Sequence, residues 1–347
     1  MPIVILSPAK SLNEAPAMRP DLPEASEPMF PDDTATLVKQ LSGLDAQQLR
    51  ALLKDVSASI AGLNQQRYAH FYSQPALPCA LAFDGPAYKA LEASSLDAAG
   101  LHWAQDNLRI LSGLYGLLRP LDAIRPYRLD MGTKLATPRG PSLYAFWSNK
   151  VVATINQELQ QQQQHQGRPS FVVNVASQEY WKAVSSADTA LAAPVYTCSF
   201  PGPAVYAKQA RGAMARFLIT TQADSPQQLR QFTGNHGEWQ WDDSTSSEFV
   251  LVFVRNVKAA KASKAGQKAA KACTGADTKP GVGMQQTTSL EAPDEQRAGD
   301  TISTSAAGVE ADGAQHTNRL KRAAIQQPAA VDKSKGRRVS KQKVQPR

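Results

Sequence analysis

Two hydrophobic periods alternate along the first 255 residues, and then both stop. Ile3–Leu6 is a continuous apolar run, the pattern of a strand buried on both faces, and Phe171–Val175 (FVVNV) is the next strong strand. Ala193–Phe200, Trp239–Trp241 and Glu248–Arg255 read as further strands. Between them, Leu49, Leu52, Leu53, Val56 and Ile60 recur at helical spacing behind Asp45, a good N-cap, and Gly62 marks the expected end of one helix. Further helices are predicted over about 101–111, from about Pro141 into the glutamine run Gln160–Gln164, and over about 203–220. Residues 13–33, rich in proline and acid, read as a surface loop. Strands alternating with helices predict a mixed α/β sheet with helices packed on it.

After Asn256 large apolar residues almost vanish, and Ala, Lys, Gln, Ser and Gly dominate. Such a segment buries too little surface to offset its ordering entropy, so residues 256–347 are expected to be a disordered tail behind a single domain, 1–255. Charge divides at the same place. The chain carries +8 overall. The body holds about 21 Lys and Arg against 22 Asp and Glu, and the tail about 17 against 8. A high isoelectric point therefore describes the appendage rather than the domain. Within the tail, Lys258, Lys261, Lys264, Lys268 and Lys271 would share one helical face, which like-charge repulsion opposes until a polyanion neutralises it. Lys321-Arg322 and Lys333–Arg338 resemble a bipartite nuclear import signal, meaningful only in a eukaryotic cell.

Cys79, Cys198 and Cys273 are widely spaced and odd in number, which suits a reducing compartment and predicts a cytosolic location. The N-terminus lacks the basic and long apolar regions of a signal peptide, and no apolar run approaches the ~18 residues of a membrane span. The sequence has no nucleophile elbow, Walker A or dinucleotide fingerprint, and its five histidines show no ligand spacing. No cofactor or metal is expected.

Four segments carry candidate chemistry. Ser7-Pro8-Ala9-Lys10 follows a buried strand, where α/β folds place ligands, and Lys10 there suits an anion or plain solvation. Leu111–Gly132 sets Arg119, Arg125 and Arg128 behind Gly113 and Gly116, two glycines that can turn the backbone to present N–H groups to a phosphate. This reads loosely as the hairpin of a helix-hairpin-helix, with Pro120 cutting the second helix short. Its alternative is a helix stop whose arginines pair with Asp122 and Asp130. Asn174–Lys182 crowds polar residues at a strand-to-helix junction. That fits a pocket with Asn174, Glu179 and Tyr180 as catalytic groups, or Ser177 as an ordinary N-cap. On the helix around 207–217, Lys208, Arg211 and Arg216 form a basic stripe opposite Tyr206, Ala210, Met214 and Phe217, and Gly212 suggests close approach by another backbone.

Together with ILSPAK (5–10), AFDGPAYKAL (82–91), the run 108–135, LYAFW (143–147), NVASQEYWKAV (174–184), AKQARGAMARFLI (207–219) and SSEFVLVFVR (246–255), these segments resemble the YaaA family of peroxide stress response proteins. The resemblance implies one α/β domain with a basic cleft and DNA, duplex or locally distorted, as partner through a helix-hairpin-helix element. It also implies a role in limiting hydrogen peroxide damage by lowering free intracellular iron. By position it makes Lys10, the 113–116 hairpin, Arg119, Arg125, Arg128, Lys182, Lys208, Arg211 and Arg216 the cleft residues. Pro201-Gly202-Pro203 replaces most of a longer polar hairpin usual in that family, and the tail has no counterpart there. The competing expectation is an enzyme acting on a nucleotide or modified base.

Overall fold

The computed structural model describes residues 1–256 apart from 55 and 168, and apart from the side chains of 165 and 166. The expectations for the tail lie outside the described residues. In chain order the elements are β1 (Pro2–Leu6), β2 (Ser11–Leu12), α1 (Pro31–Ser42), α2 (Ala46–Leu52), α3 (Ala58–Ala69), β3 (Leu77–Pro78), α4 (Cys79–Ala82), β4 (Phe83–Asp84), α5 (Pro86–Leu91) and α6 (Ala98–Asn107). They continue with β5 (Leu108–Ser112), β6 (Gly116–Leu118), β7 (Ala123–Ile124), α7 (Leu143–Gln166), β8 (Phe171–Asn174), α8 (Gln178–Ser185), β9 (Val195–Ser199), α9 (Ala204–Thr221), β10 (Trp239–Trp241) and β11 (Val250–Arg255).

Seven strands form one sheet in the order β10-β11-β9-β8-β1-β5-β6. The five inner strands are parallel; β6 and β10 close the edges antiparallel. The register sets Val4 opposite both Leu108 and Val173. Helices α7 and α8 pack together, while α5, α6 and α9 form a second group against β1. Every residue of β1, β5 and β8 is buried, as their largely apolar sequences suit, and the polar members Arg109, Ser112 and Asn174 are buried with hydrogen-bond partners. This is the expected α/β fold. Among the described residues no helix is long and apolar enough to cross a membrane.

Four expectations need correction. The helix predicted from Asp45 to Gly62 is two helices. Asp45 and Gln48 form a capping box on α2, Lys54 takes a left-handed φ of 62° that ends it, and Ser57 caps α3 by accepting from the Ile60 N–H. The apolar spacing misleads at this turn: Leu49 in α2 and Leu53 at its C-cap are buried, but Ile60 is exposed and α3 instead buries Ala61, Asn64 and Tyr68. The helix predicted over 101–111 ends at Asn107. Residues 108–112 are instead an inner strand, since a short apolar run does not reveal its period. The proposed phosphate hairpin at 113–116 is the buried turn between antiparallel β5 and β6. A side chain at Gly113 would meet the Leu129 carbonyl oxygen at 2.3 Å, and Gly116, at φ +73°, sits on the Trp147 ring. Gly113 and Gly116 present nothing to a ligand. The loop expected over 13–33 gives way to α1 at Pro31 and is pinned by Ser26, which donates to the buried Asp122 at 2.7 Å.

Asp33, buried in the first turn of α1, accepts hydrogen bonds from Lys150 of α7 and from Arg139. Burial pushes its carboxyl up, but the bonds and charges of Lys150 and Arg139 outweigh this and hold it below 3.8. A carboxylate with a folded pKa below its unfolded one contributes stability that is full above about pH 4 and lost as pH falls through the folded value. Asp33→Asn is therefore expected to flatten the acid limb of the stability profile. Urea unfolding between about pH 2 and 6 measures this, and an unchanged limb would remove Asp33 from the account.

Candidate functional site

Leaving β1 the chain moves to β5 on one side, whereas leaving β8 it moves to β9 on the other. The crevice beyond the carboxyl ends of β1 and β8 is thus the topological switch point, where open α/β sheets hold ligands. A cleft of about 510 Å³ opens there. Its walls come from four segments distant in sequence: Ser7–Ser11 after β1, Asp84–Tyr88 at the start of α5, Ser177–Tyr180 at the start of α8, and Lys208 and Arg211 on α9.

The floor is a hydroxyl and amide lattice. The Ser177 N–H donates to Ser7 Oγ at 2.9 Å, Ser7 Oγ donates to Ser177 Oγ at 3.3 Å, and the Tyr88 hydroxyl donates to the Ser7 carbonyl at 3.1 Å. Ser177 stands at the N-cap of α8, but it makes no side-chain cap bond. Asn174 is buried below the cleft: its oxygen accepts from the Ala176 N–H at 3.0 Å and its amide donates to Thr197 at 3.3 Å, so it shapes the β8–α8 turn rather than lining the cavity. Tyr180 lines the cleft although its side chain is buried, and burial first, then the nearby Asp130 and Glu179 charges, push its phenol well above 10. It stays protonated across the physiological range. Glu179 accepts from the Gly132 N–H at 3.1 Å and from Lys54 Nζ at 3.4 Å.

The cations divide into three groups. Lys208 and Arg211 face the cleft, and among the described residues neither has an ion-pair partner. Arg211 Nε is buried without a hydrogen-bond acceptor, and burial lowers the guanidinium pKa. At the rim, buried Asp130 ties Lys10 at 3.1 Å and Arg128 at 3.5 Å, while Arg128 also donates to the Lys10 carbonyl. The Tyr68 hydroxyl donates to the Arg128 carbonyl at 2.8 Å, which fastens α3 to this rim, and Lys54 in the α2–α3 turn reaches Glu179. Arg125 lies over the Tyr72 ring, 5.8 Å from its centre.

Three of the expected cations lie elsewhere. Arg119 pairs with Asp122 at 3.0 Å beside a crevice lined by Met1, at the opposite end of the sheet from Lys10. Arg216 donates to the Leu91 and Glu92 carbonyls and so caps the end of α5. Lys182, exposed on α8, sits over the Tyr144 ring outside the cleft lining. Conversely, Ser7, Asp84, Tyr88, Ser177 and Lys54 belong to the site without having been singled out as site residues. The Gly85-Pro86 pair, a helix-start signal at N-cap and N1, is the one local hint.

Comparison with known proteins adds to this geometry. The family model described as peroxide stress protein YaaA matches residues 2–245. A UPF0246 protein of Burkholderia ambifaria is 40% identical over 268 residues, spanning 74% of this chain and 99% of its own length. One from Paraburkholderia phytofirmans gives the same values, and one from Laribacter hongkongensis is 40% identical over 267 residues, spanning 73% of this chain and 99% of its own length.

Proposed function

Because the chain belongs to the family of the peroxide stress protein YaaA, we propose that it limits hydrogen peroxide damage by binding DNA at the carboxyl end of its sheet while free intracellular iron is lowered. The family supports a role in the response to oxidative stress; DNA and iron are the finer parts of the reading.

One observation carries the DNA part. Lys10, Lys54, Arg128, Lys208 and Arg211, from four separate segments of a nearly neutral body, converge on one end of the sheet. Non-specific duplex binding needs such a concentrated cationic face. Beside the cleft stand α2 and α3, two short helices joined by a tight turn, with a lysine in the turn and the amino end of α3 next to it. A helical hairpin of this kind offers N–H groups and positive charge to a phosphate, and it replaces 113–116 as the element for that task.

In a salt series on the full chain, Lys54→Ala and Arg128→Ala are each expected to reduce the slope of log K against log salt by about one, with affinity falling alike on every duplex sequence. Wild-type slopes in both variants would move the DNA contact away from this end of the sheet. The enzyme reading retains Glu179 as its acid–base group, because Asn174 and Tyr180 are committed to structure. A Glu179→Gln protein that binds DNA normally yet leaves cells unprotected would favour that reading.

A further inference from the structure

We propose that the cleft between β1 and β8 takes one nucleotide unit at a time, with its phosphate on Lys208 and Arg211, so that a nucleotide displaced from a duplex is the part of DNA the cleft receives. The inference rests on the DNA reading above but reaches past it to what enters the cavity.

Size excludes the duplex itself. A sphere of 510 Å³ is about 10 Å across, narrower than even the major groove of B-DNA at about 12 Å. That volume lies within the range of pockets that bury a single small ligand, roughly 300–1,000 Å³. Position agrees, since the switch-point crevice of a parallel sheet is where mononucleotides sit.

Chemistry divides the cavity into two sides. The α9 wall holds the two cations that lack ion-pair partners among the described residues. A buried N–H without an acceptor, such as Arg211 Nε, is satisfied when an oxyanion arrives. Other parts of the lining carry acceptors already oriented by protein partners: Asp84 by Lys89 at 3.4 Å, and Glu179 by the Gly132 N–H and Lys54. Carboxylates repel a phosphate and accept from the amino groups of a base, which sets the orientation of the nucleotide. Between them Pro8, Ala9 and Ala87 give apolar surface for a flat ring. Extruding a paired base costs a few kcal/mol of stacking and pairing, least where the base is already unpaired. The cleft therefore favours DNA with a local distortion.

The test uses the full chain and three probes at one salt concentration: a perfect duplex, the same duplex with one bulged adenine, and free deoxyadenosine monophosphate. The bulged duplex is expected to bind at least about tenfold tighter than the perfect one. The free monophosphate should abolish that preference, and deoxyadenosine, which lacks the phosphate, should not. Arg211→Gln should bring the ratio between the duplexes close to one. Lys208→Gln, at an exposed position, provides the same test if the first variant folds poorly. Equal binding of the two duplexes with no binding of the monophosphate overturns the inference and leaves the DNA reading standing. A bulge preference that survives both variants overturns it as well. Binding of the monophosphate, lost in the variants, with no binding of either duplex supports the nucleotide site and removes the DNA reading instead.

Discussion

Gly212→Val is expected to destabilise the protein by about 3 kcal/mol or more and to disable the cleft at the same time. A Cβ atom placed on Gly212 falls 1.8 Å from the carbonyl oxygen of Ala87, 2.5 Å from its carbon and 2.8 Å from its Cα. All three are backbone atoms, so no rotamer change relieves the clash, and α5 and α9 must separate. Those two helices pack closely along their lengths, and each supplies part of the cleft wall: Ala87 and Tyr88 on one, Lys208 and Arg211 on the other. Even Gly212→Ala should cost most of this. Gly62→Ala provides the control, because Gly62 lies inside α3 with open space around its missing Cβ. There the more restricted unfolded chain and better helix propensity should stabilise by about 0.5–1 kcal/mol. Denaturant unfolding of the three proteins decides the matter, and a Gly212→Ala protein as stable as wild type would refute the contact.

Reversing both cleft cations, Lys208→Glu with Arg211→Glu, is expected to lower DNA affinity at least about 100-fold at moderate salt. The substitution removes two cleft-lining cations that have no ion-pair partner among the described residues and places carboxylates where Asp84 and Glu179 already face the cavity. Like charges meeting a phosphate repel it without compensation. Reversing Arg119 serves as the comparison, because it lies at the opposite end of the sheet and is engaged by Asp122. Arg119→Glu should leave DNA affinity within about threefold once its folding has been verified by circular dichroism. Equal losses from the two ends would mean that binding is spread over the surface, or resides in the lysine-rich tail.

The sequence alone determined those features whose cause is local or whose pattern admits one solution. The strongly apolar segments at Ile3–Leu6 and Phe171–Val175 were legible as strands covered on both faces, and they became the centre of the sheet. The cap at Asp45, the long helix after Pro141 and the α9 helix were legible from side chains that act within a turn of their own backbone. The motif order identified the family, and Gly212 announced a close backbone contact before its partner was known.

Only the tertiary structure decided what depends on a partner far along the chain. Leu108–Ser112 is as apolar as a helix end, and it is a strand because β1 and β6 accept its hydrogen bonds on either side. Gly113 and Gly116 have the residue types of a phosphate loop, yet Leu129 and Trp147 fill the space a ligand would need. Arginines equally basic in the sequence separate by the company they keep. Arg119 finds Asp122 and Arg216 finds the end of α5, while Arg211 finds no acceptor and stays available at the switch point. A side chain's chemistry is written in its own codon, but whether that chemistry is spent on the fold or left for a ligand is set by residues on average many turns away, which no local pattern records.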